Sequence, residues 1–323
     1  MHAYKRRASL GRTPAVPHMV ISRCYSVAMP RILISGASGL LGSALVPSLE
    51  SKGYEVMRLV RRKACGANEA QWDPMHPIPP QLVSGFDVVI HLSGEKVAGR
   101  WTESKKNRIR ESRIFSTDFL AQALAKAENR PGVFLCASAI GYYGNRGDEV
   151  LTEASLSGDG FLPEVCREWE FAVEPASNAG IRTVSLRTGI VLSCNGGALK
   201  QMLLPFRLGL GGRIGDGGQW WSWIHIEDLV AAIDHILRSD SVKGPINMVS
   251  PDPVTNAEFT KTLAKTLKRP ATLPVPAFAA RLAFGGFADE GLLASARVEP
   301  KNLIESGLQF RLPDLASALE NLL

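Results

Sequence analysis

The sequence has 323 residues, of which 45% are hydrophobic and 21% are charged, as in a typical soluble globular protein. This composition excludes a disordered chain and a collagen-like fibre, and no apolar run reaches the roughly 20 residues of a transmembrane helix. The formal net charge is +6, but residues 1–28 carry five basic residues and no acid, which leaves +1 for residues 29–323. A nearly neutral body gives no reason to expect a nucleic-acid or membrane partner.

Residues 1–28 differ in composition from the rest of the chain. We interpret them as a disordered tail or as an incorrectly assigned start that precedes the functional initiator Met29. A targeting peptide is the alternative, because the segment contains arginines and no acid. Pro14 and Pro17 interrupt the segment and favour the first interpretation. The chain has five cysteines and no C-x-x-C spacing, which predicts reduced thiols and a cytoplasmic location.

From Met29 onward, short apolar runs alternate with helical stretches. The pattern predicts strands at 31–35, 55–60, 87–92, 133–137 and 183–186, and helices at 40–52, 103–127 and 159–174. This alternation predicts an α/β fold of the Rossmann type, a doubly wound parallel sheet with helices on both faces.

The pattern becomes less regular after about residue 195. It predicts a glycine-rich loop at 209–218, an extended segment at 221–226 and a helix at 227–237. Thr255 and Glu258 form a capping box that predicts a helix to about Leu267,. The prolines that follow lead into a small, mainly helical C-terminal substrate lobe. We therefore expect a dinucleotide-binding domain over 29–250 and a C-terminal domain over 251–323.

A glycine triplet lies between the first strand and the first helix. Gly36, Gly39 and Gly42 have the spacing G-x-x-G-x-x-G, with Ser38, Leu40 and Leu41 among them. Such glycines permit a tight turn, the approach of a pyrophosphate to the backbone, and close packing of the helix. In this strand–turn–helix context the motif predicts a dinucleotide site that uses all six residues.

The end of the second strand indicates which dinucleotide is bound. Enzymes that use NAD place an acid there to hold the ribose 2′-hydroxyl. This chain instead has Arg61 and Arg62, and no acid occurs between Glu55 and Glu69. A guanidinium binds a 2′-phosphate with paired donors, so the sequence predicts NADP(H). Arg58 lies within a predicted buried strand and has no explanation from the sequence.

Further motifs follow in order: 60–62 (VRR), 90–95 (IHLSGE), 138–144 (SAIGYYG), 186–192 (LRTGIVL), 202–212 (MLLPFRLGLGG) and 223–229 (WIHIEDL). Together with the glycine triplet, they resemble the epimerase family of atypical, extended short-chain dehydrogenases/reductases. The segment from Leu273 resembles that family's C-terminal domain of unknown function. The resemblance covers roughly residues 31–320 and implies a Rossmann fold, NADP binding and a small substrate lobe.

The resemblance also assigns cofactor contacts outside the glycine loop. It places Leu92 and Ser93 over the adenosine side of the cofactor and Glu95 at a position where the family has an acid. Arg113 is assigned to the helix that faces the cofactor, although a surface cation is an equally simple interpretation. The resemblance places Ile190 and Val191 near the nicotinamide.

The proton-transfer pair of short-chain dehydrogenases, Tyr-x-x-x-Lys, is absent. At the matching positions the chain has Leu162 and Cys166, which cannot perform that proton transfer. Tyr143 or Tyr142 is therefore the predicted proton donor, with Ser138 orienting the substrate oxygen and Arg187 or Lys200 supplying positive charge. The alternative is that Tyr143 only shapes the pocket.

Other side chains leave less specific signals. Trp220, Trp221 and Trp223 either wall the substrate site or pack in the core,. The histidines have no H-x-x-x-H spacing, so no metal site is predicted.

Two functions are compatible with this sequence. The first is an NADP-dependent oxidoreductase or epimerase with a non-standard proton donor and an unidentified small-molecule substrate. The second is a non-catalytic NADP(H)-binding or redox-sensing protein, which the absent Tyr–Lys pair favours. The sequence does not predict an oligomeric state.

Overall fold

The structure of the protein is a computed structural model that describes residues 29–323. The predictions for residues 1–28 lie outside this range. The strands are β1 (Arg31–Ser35), β2 (Glu55–Val60), β3 (Glu69–Gln71), β4 (Val88–His91), β5 (Val133–Ala139), β6 (Val150–Leu151), β7 (Arg182–Thr188), β8 (Ile190–Leu192), β9 (Trp220–Trp221), β10 (Trp223–His225), β11 (Gly244–Met248), β12 (Val254–Thr255) and β13 (Arg297–Val298).

Each predicted helical stretch contains a helix, and further helices lie between and after these stretches. The helices are α1 (Leu40–Ser51), α2 (Pro80–Val83), α3 (Glu103–Lys126), α4 (Phe161–Phe171), α5 (Glu174–Asn178), α6 (Gly197–Arg207), α7 (Ile226–Arg238), α8 (Asn256–Leu267), α9 (Ala277–Phe284), α10 (Lys301–Glu305) and α11 (Leu315–Leu322). A 3₁₀ turn spans Ile140–Tyr143, and a π-helical turn spans Ala288–Leu292.

A parallel seven-stranded sheet forms the centre of the fold. Its strand order is β11-β7-β5-β4-β1-β2-β3, and every neighbouring pair in it is parallel. The order reverses between β1 and β4, and open α/β sheets bind ligands at the carboxyl ends of the strands beside such a reversal. The predicted Rossmann-type sheet is confirmed.

Apolar clusters cover both faces of this sheet. One joins inward-facing residues of β1, β4 and β7 to α1 and α7. The other joins the opposite face to α2, α3 and α4. Parallel strands covered on both faces read as continuous apolar runs, which is why residues 31–35 and 87–92 were recognisable in the sequence.

The C-terminal lobe combines late helices with short strand pairs. β6 pairs with β13, and β9 pairs with β12, so residues before and after position 250 share the same small sheets. A third apolar cluster fills the lobe around Trp221, Trp223 and Phe259. Thr255 caps α8 as predicted, since its Oγ1 accepts a hydrogen bond from the Glu258 backbone N–H at 3.2 Å.

Strand β11 is missing from the predicted elements. Its residues Pro245 and Asn247 break the apolar run that marks a buried strand. Asn247 is nevertheless fully buried, because its Oδ1 accepts a hydrogen bond from the Tyr143 hydroxyl at 2.7 Å. That partner is 104 residues away in the chain, so no local pattern reveals it.

Candidate active site

A cavity of about 1770 Å³ runs along the carboxyl edge of the sheet. The glycine loop, the end of β2 and the loop after β4 line one half, which we call the cofactor half. Helix α6 and the C-terminal lobe line the other half, which we call the lobe half. The two halves are continuous, so a molecule in one lies beside a molecule in the other.

The glycine loop forms a cradle that side chains would fill. Gly36 has a φ of +74°, and a Cβ there would lie 2.7 Å from the carbonyl carbon of Leu92. A Cβ on Gly42 would lie 2.4 Å from the Gly36 oxygen. No side chain caps the first turn of α1, so its amides are available to an anion. This geometry fits the pyrophosphate of a dinucleotide.

Four of the six predicted loop residues line the cavity: Gly36, Ser38, Gly39 and Leu40. Leu41 does not, because it packs against the core cluster beneath α1. Gly42 does not either, and its role is the close packing of α1 on the turn. The prediction that these two residues touch the cofactor is therefore not supported by the cavity.

Three arginines lie at the end of the cofactor half. Arg58, Arg61 and Arg62 all line it. Arg58 donates to Glu50 Oε1 on α1 at 2.6 Å, which accounts for a charge within β2. Arg61 is exposed and forms no hydrogen bond with any residue in the described range. Its guanidinium is thus free to bind a phosphate.

Glu69 is a site residue that the sequence did not identify. It lines the cavity and binds the Arg62 guanidinium through both oxygens, at 2.6 and 2.7 Å. The Cys65 backbone N–H donates to the same carboxylate at 2.8 Å. The hydrogen bond from Arg62 and that backbone hydrogen bond lower the pKa of Glu69 to about 2. The parallel pairing of β3 with β2 brings this acid beside the arginines.

The loop after β4 contributes Leu92, Ser93 and Glu95 to the lining, and their contact with the cofactor stays a prediction. The Glu95 carboxylate is paired with Lys105 at 2.6 Å. Arg113 does not line the cavity: it donates to the Glu95 carbonyl oxygen at 3.0 Å. Its guanidinium stacks 4.9 Å from the Trp169 ring centroid, and burial lowers its pKa. Arg113 therefore holds the loop, and its contact with the cofactor stays a prediction.

A buried histidine supports the strand ends beneath the cofactor half. The Nδ1 of His91 lies 2.6 Å from the Ser35 hydroxyl, and its Nε2 lies 3.0 Å from the Ser116 hydroxyl. Burial lowers the pKa of His91 to about 3. The ring is therefore neutral at physiological pH and links β1, β4 and α3.

The two residues expected near the nicotinamide do not line the cavity. Ile190 and Val191 form β8, which pairs with β10, and both pack partly into apolar clusters. Gly197 and Ala198 at the start of α6 line the cavity instead. Lys200, considered as a source of charge, is exposed and donates to the Asn195 carbonyl oxygen at 3.4 Å.

The predicted catalytic residues lie in a hydrogen-bonded cluster outside the cavity lining. Tyr143 is fully buried, and its hydroxyl accepts from Arg187 Nη1 at 3.0 Å. Burial raises the pKa of Tyr143 to about 12. Ser138 donates to Glu170 at 2.6 Å instead of facing a ligand. Arg187 also pairs with Glu170, at 2.8 Å through both oxygens.

Tyr142 is only half-buried, and its ring is covered by the Arg187 guanidinium at 3.5 Å from the ring centroid. The residues at the positions of the absent Tyr–Lys pair are apolar. Cys166 is buried. Leu162 packs closely on Gly141, since a Cβ added at Gly141 would lie 3.3 Å from the Leu162 Cβ. Catalysis by Tyr143, Tyr142 or Ser138 stays a prediction, and the burial of the Tyr143 hydroxyl argues against that residue.

The tryptophans have mixed roles. Trp221 both packs in the lobe core and lines the cavity, whereas Trp223 is only a core residue.

No helix in residues 29–323 is long and apolar enough to cross a bilayer. The same range contains no group of three or more His, Cys, Asp or Glu side chains arranged to bind a metal ion.

Comparisons with known proteins assign the class. Residues 32–249 match the NAD dependent epimerase/dehydratase family, and residues 275–322 match a domain of unknown function, DUF1731. The chain therefore belongs to the NAD dependent epimerase/dehydratase family, which confirms the resemblance seen in the sequence.

Particular relatives refine this assignment. Epimerase family protein Mb2239 of Mycobacterium bovis is 42% identical over 290 residues, which cover 89% of this chain and 96% of that protein. Epimerase family protein SDR39U1 of Homo sapiens is 36% identical over 299 residues, which cover 90% and 99%. A crystal structure of human SDR39U1 with NADPH has a TM-score of 0.82 at 34% identity, covering 90% of this chain and 98% of that chain. The NADPH in that structure agrees with the cofactor predicted here.

Proposed function

We propose that the protein binds NADPH in the cofactor half of the cavity and acts as an oxidoreductase on a small molecule in the lobe half. The observation that carries this proposal is the continuity of the two halves in one cavity. A protein that only stored or sensed the cofactor would not need a second compartment open to it.

This chain's residues provide three contacts for the cofactor. The amides of the glycine loop and of the first turn of α1 bind the pyrophosphate. Arg61 binds the 2′-phosphate, because its guanidinium has no protein partner among the described residues. Leu92 and Ser93 cover the adenosine side. The NADPH of the related human structure supports the same choice of cofactor.

The bound cofactor supplies a hydride to a carbonyl carbon while the carbonyl oxygen takes one proton from solvent, which yields an alcohol and NADP⁺. The chain's part is to hold the substrate in the lobe half beside the cofactor half. Apolar side chains of α6 and of the C-terminal lobe perform this task.

A non-catalytic NADPH-binding or redox-sensing protein is the second candidate. The apolar side chains at the positions of the Tyr–Lys pair favour it, since neither Leu162 nor Cys166 replaces that pair. Burial raises the pKa of Cys166 to about 12, so its thiol is uncharged at neutral pH and does not supply the positive charge of the lysine that it replaces.

The cellular setting that we propose is cytoplasmic, with no nucleic-acid or membrane partner. The four described cysteines, Cys65, Cys136, Cys166 and Cys194, are free thiols, which supports a reducing compartment. Subcellular fractionation of cells that express the full chain tests this location.

Two measurements test the proposed function. Titration with NADPH and NADH, followed by energy transfer from protein tryptophan, measures cofactor binding; Trp72 lines the cavity and gives a local donor. A screen of carbonyl compounds, followed by the loss of NADPH absorbance, measures turnover. Tight NADPH binding without turnover of any carbonyl compound would favour the non-catalytic alternative.

A further inference from the structure

The lobe half of the cavity is apolar. Residues after 196 contribute no ionisable side chain to its lining, and its walls include Met202, Phe206, Ile214, Val275, Phe287 and Leu292. The apolar lining reaches the surface, where Leu210 is 58% exposed and Phe284 is 36% exposed. An apolar surface that continues from a cavity to its mouth is typical of a site for apolar ligands.

The charged groups of the cavity lie elsewhere. Its basic side chains are Arg58, Arg61, Arg62 and Lys96, all from residues before α6. The N-terminus of α6 is near the cofactor half, since a Cβ on Gly197 would lie 2.9 Å from Leu40 Cδ2. A nucleoside diphosphate in the lobe half would therefore place its negative charges against apolar walls, and burial of charge without a partner is costly.

Three polar side chains interrupt the apolar wall: Gln201, which is exposed, and the buried Asn256 and Thr260. Asn256 is 1% exposed, and its Oδ1 accepts from the Ile214 backbone N–H at 2.7 Å. Because a backbone N–H only donates, this contact fixes which amide atom is the oxygen. The Nδ2 group forms no hydrogen bond with any described residue, although Asn256 lines the cavity.

Thr260 lies one helical turn after Asn256 on α8, so the two side chains share a face. It is 6% exposed and also lines the cavity. Within residues 29–323 its hydroxyl has no hydrogen-bond partner. Neither Asn256 Nδ2 nor Thr260 Oγ1 belongs to the buried atoms that lack a partner, so both atoms are accessible from the cavity and can donate to a ligand oxygen there.

We infer that the substrate is an uncharged, largely apolar carbonyl compound whose oxygen accepts hydrogen bonds from Asn256 Nδ2 and Thr260 Oγ1. This inference rests on the proposed function, because it names the substrate class for the same cavity. It also separates this chain from enzymes that act on sugar nucleotides, because no basic side chain of the lobe half lines the cavity to pair with a charged diphosphate.

The test uses the full chain saturated with NADPH and ligand-observed NMR. The neutral probes are benzophenone and methyl nonyl ketone. The charged probes of similar shape are para-benzoylbenzoate and decanoate, and UDP-glucose represents the sugar nucleotides. We expect the ketones to bind at lower concentration than the carboxylates, and UDP-glucose not to compete with them.

Matched variants locate the binding site. Thr260→Val removes the hydroxyl with little change of shape, and Asn256→Asp keeps the acceptor for Ile214 but removes the Nδ2 donor. Thr260→Val should weaken ketone binding roughly threefold to tenfold, the effect of one lost hydrogen bond. Asn256→Asp should weaken it at least as much, because its carboxylate also repels the ketone oxygen. Thr262→Val is the control, because Thr262 is half-buried on the same helix, does not line the cavity, and donates its hydroxyl to the Glu258 carbonyl oxygen.

Several results would overturn the inference. UDP-glucose binding without ketone binding would assign the lobe half to sugar nucleotides. Absence of binding by every probe, with NADPH binding intact, would remove the substrate class but not the proposed cofactor. Equal effects of the Thr260 and Thr262 variants would place the ketone elsewhere. Loss of NADPH binding itself would overturn the proposed function and this inference together.

Discussion

Glu69 holds the Arg62 guanidinium through two hydrogen bonds of 2.6 and 2.7 Å at the end of the cofactor half. The neighbouring Arg61 forms no such pair within the described residues. Two adjacent arginines that look equivalent in the sequence are thus unequal in the structure. One is committed to a carboxylate that repels a phosphate, whereas the other is free to bind it.

This difference predicts unequal effects on cofactor binding. Arg61→Ala should weaken NADPH binding about tenfold to a hundredfold, because it removes a charge-assisted hydrogen bond to the 2′-phosphate. Binding of NADH, which lacks that phosphate, should change little. Arg62→Ala should have the smaller effect on NADPH, since Glu69 already occupies its donors. Fluorescence titration with both cofactors measures the dissociation constants.

Lys63→Ala is the matched control for the arginine variants. Lys63 is the next basic residue in the chain but does not line the cavity, so its removal should leave both dissociation constants unchanged. Equal NADPH and NADH affinities in the unaltered protein would contradict the role assigned to Arg61. A larger loss from Arg62→Ala than from Arg61→Ala would show that Glu69 releases Arg62 to the cofactor.

A second prediction concerns the glycine cradle. Gly42→Ala would place a Cβ 2.4 Å from the Gly36 carbonyl oxygen, so the turn between β1 and α1 must move. We expect a loss of about 1–3 kcal/mol in the free energy of unfolding, as for an overpacked site, together with much weaker NADPH binding. Urea denaturation and fluorescence titration measure the two effects.

Gly132→Ala provides the comparison for that variant. A Cβ at Gly132 would lie 3.7 Å from its nearest neighbour, the Asp87 oxygen, and its φ is not in the left-handed region. Stability and NADPH binding should both be close to those of the unaltered protein. If Gly42→Ala behaves like Gly132→Ala, the cradle is not as tight as its backbone geometry indicates.

The glycine loop and the first two sheet strands were predictable because their signals are local. Gly36, Gly39 and Gly42 occupy fixed positions between an apolar run and a helix, and β1 and β2 have the predicted bounds. The free state of Arg61 and the pairing of Arg62 were not predictable, because they depend on the position of β3 beside β2.

The prediction of the catalytic residues was limited in the same way, because it lacked the contacts between distant strands. The sequence correctly placed Tyr142 and Tyr143 directly after a central strand, at its carboxyl end. It gave no information on burial, which depends on Asn247 of β11 and on Arg187 of β7. Asn256 and Thr260 were not predicted as site residues for a related reason. They lie within a capped helix, and only the packing of the lobe brings them to the cavity.

A third prediction concerns the dependence of stability on pH. Unfolded His91 binds a proton below its ordinary pKa of 6.5, whereas the folded residue, with a pKa of about 3, does not. The folded state therefore loses stability as the pH falls from 6.5 towards 3. The expected loss from this residue is about 1.4 kcal/mol for each pH unit in that range.

His91→Gln removes this titration and retains a side chain that hydrogen-bonds with Ser35 or Ser116. The variant should be less stable at pH 7, but its loss between pH 7 and pH 5 should be smaller than that of the unaltered protein by about 2 kcal/mol. Urea denaturation at both pH values measures the difference. Parallel pH dependences in the two proteins would show that His91 becomes protonated without unfolding.

The last prediction separates a structural from a catalytic role for Tyr143. Its hydroxyl joins Asn247 and Arg187 in the buried cluster, so Tyr143→Phe removes the hydrogen-bond partner of Asn247 Oδ1 and of Arg187 Nη1. The expected loss is about 1–3 kcal/mol in the free energy of unfolding. NADPH binding and turnover should persist, because the residue does not line the cavity.

Tyr142→Phe is the control, since the Phe ring retains its stacking on Arg187 and little stability should be lost. If instead turnover disappears in Tyr143→Phe while stability and NADPH binding are unchanged, then Tyr143 donates the proton as its position after β5 first indicated.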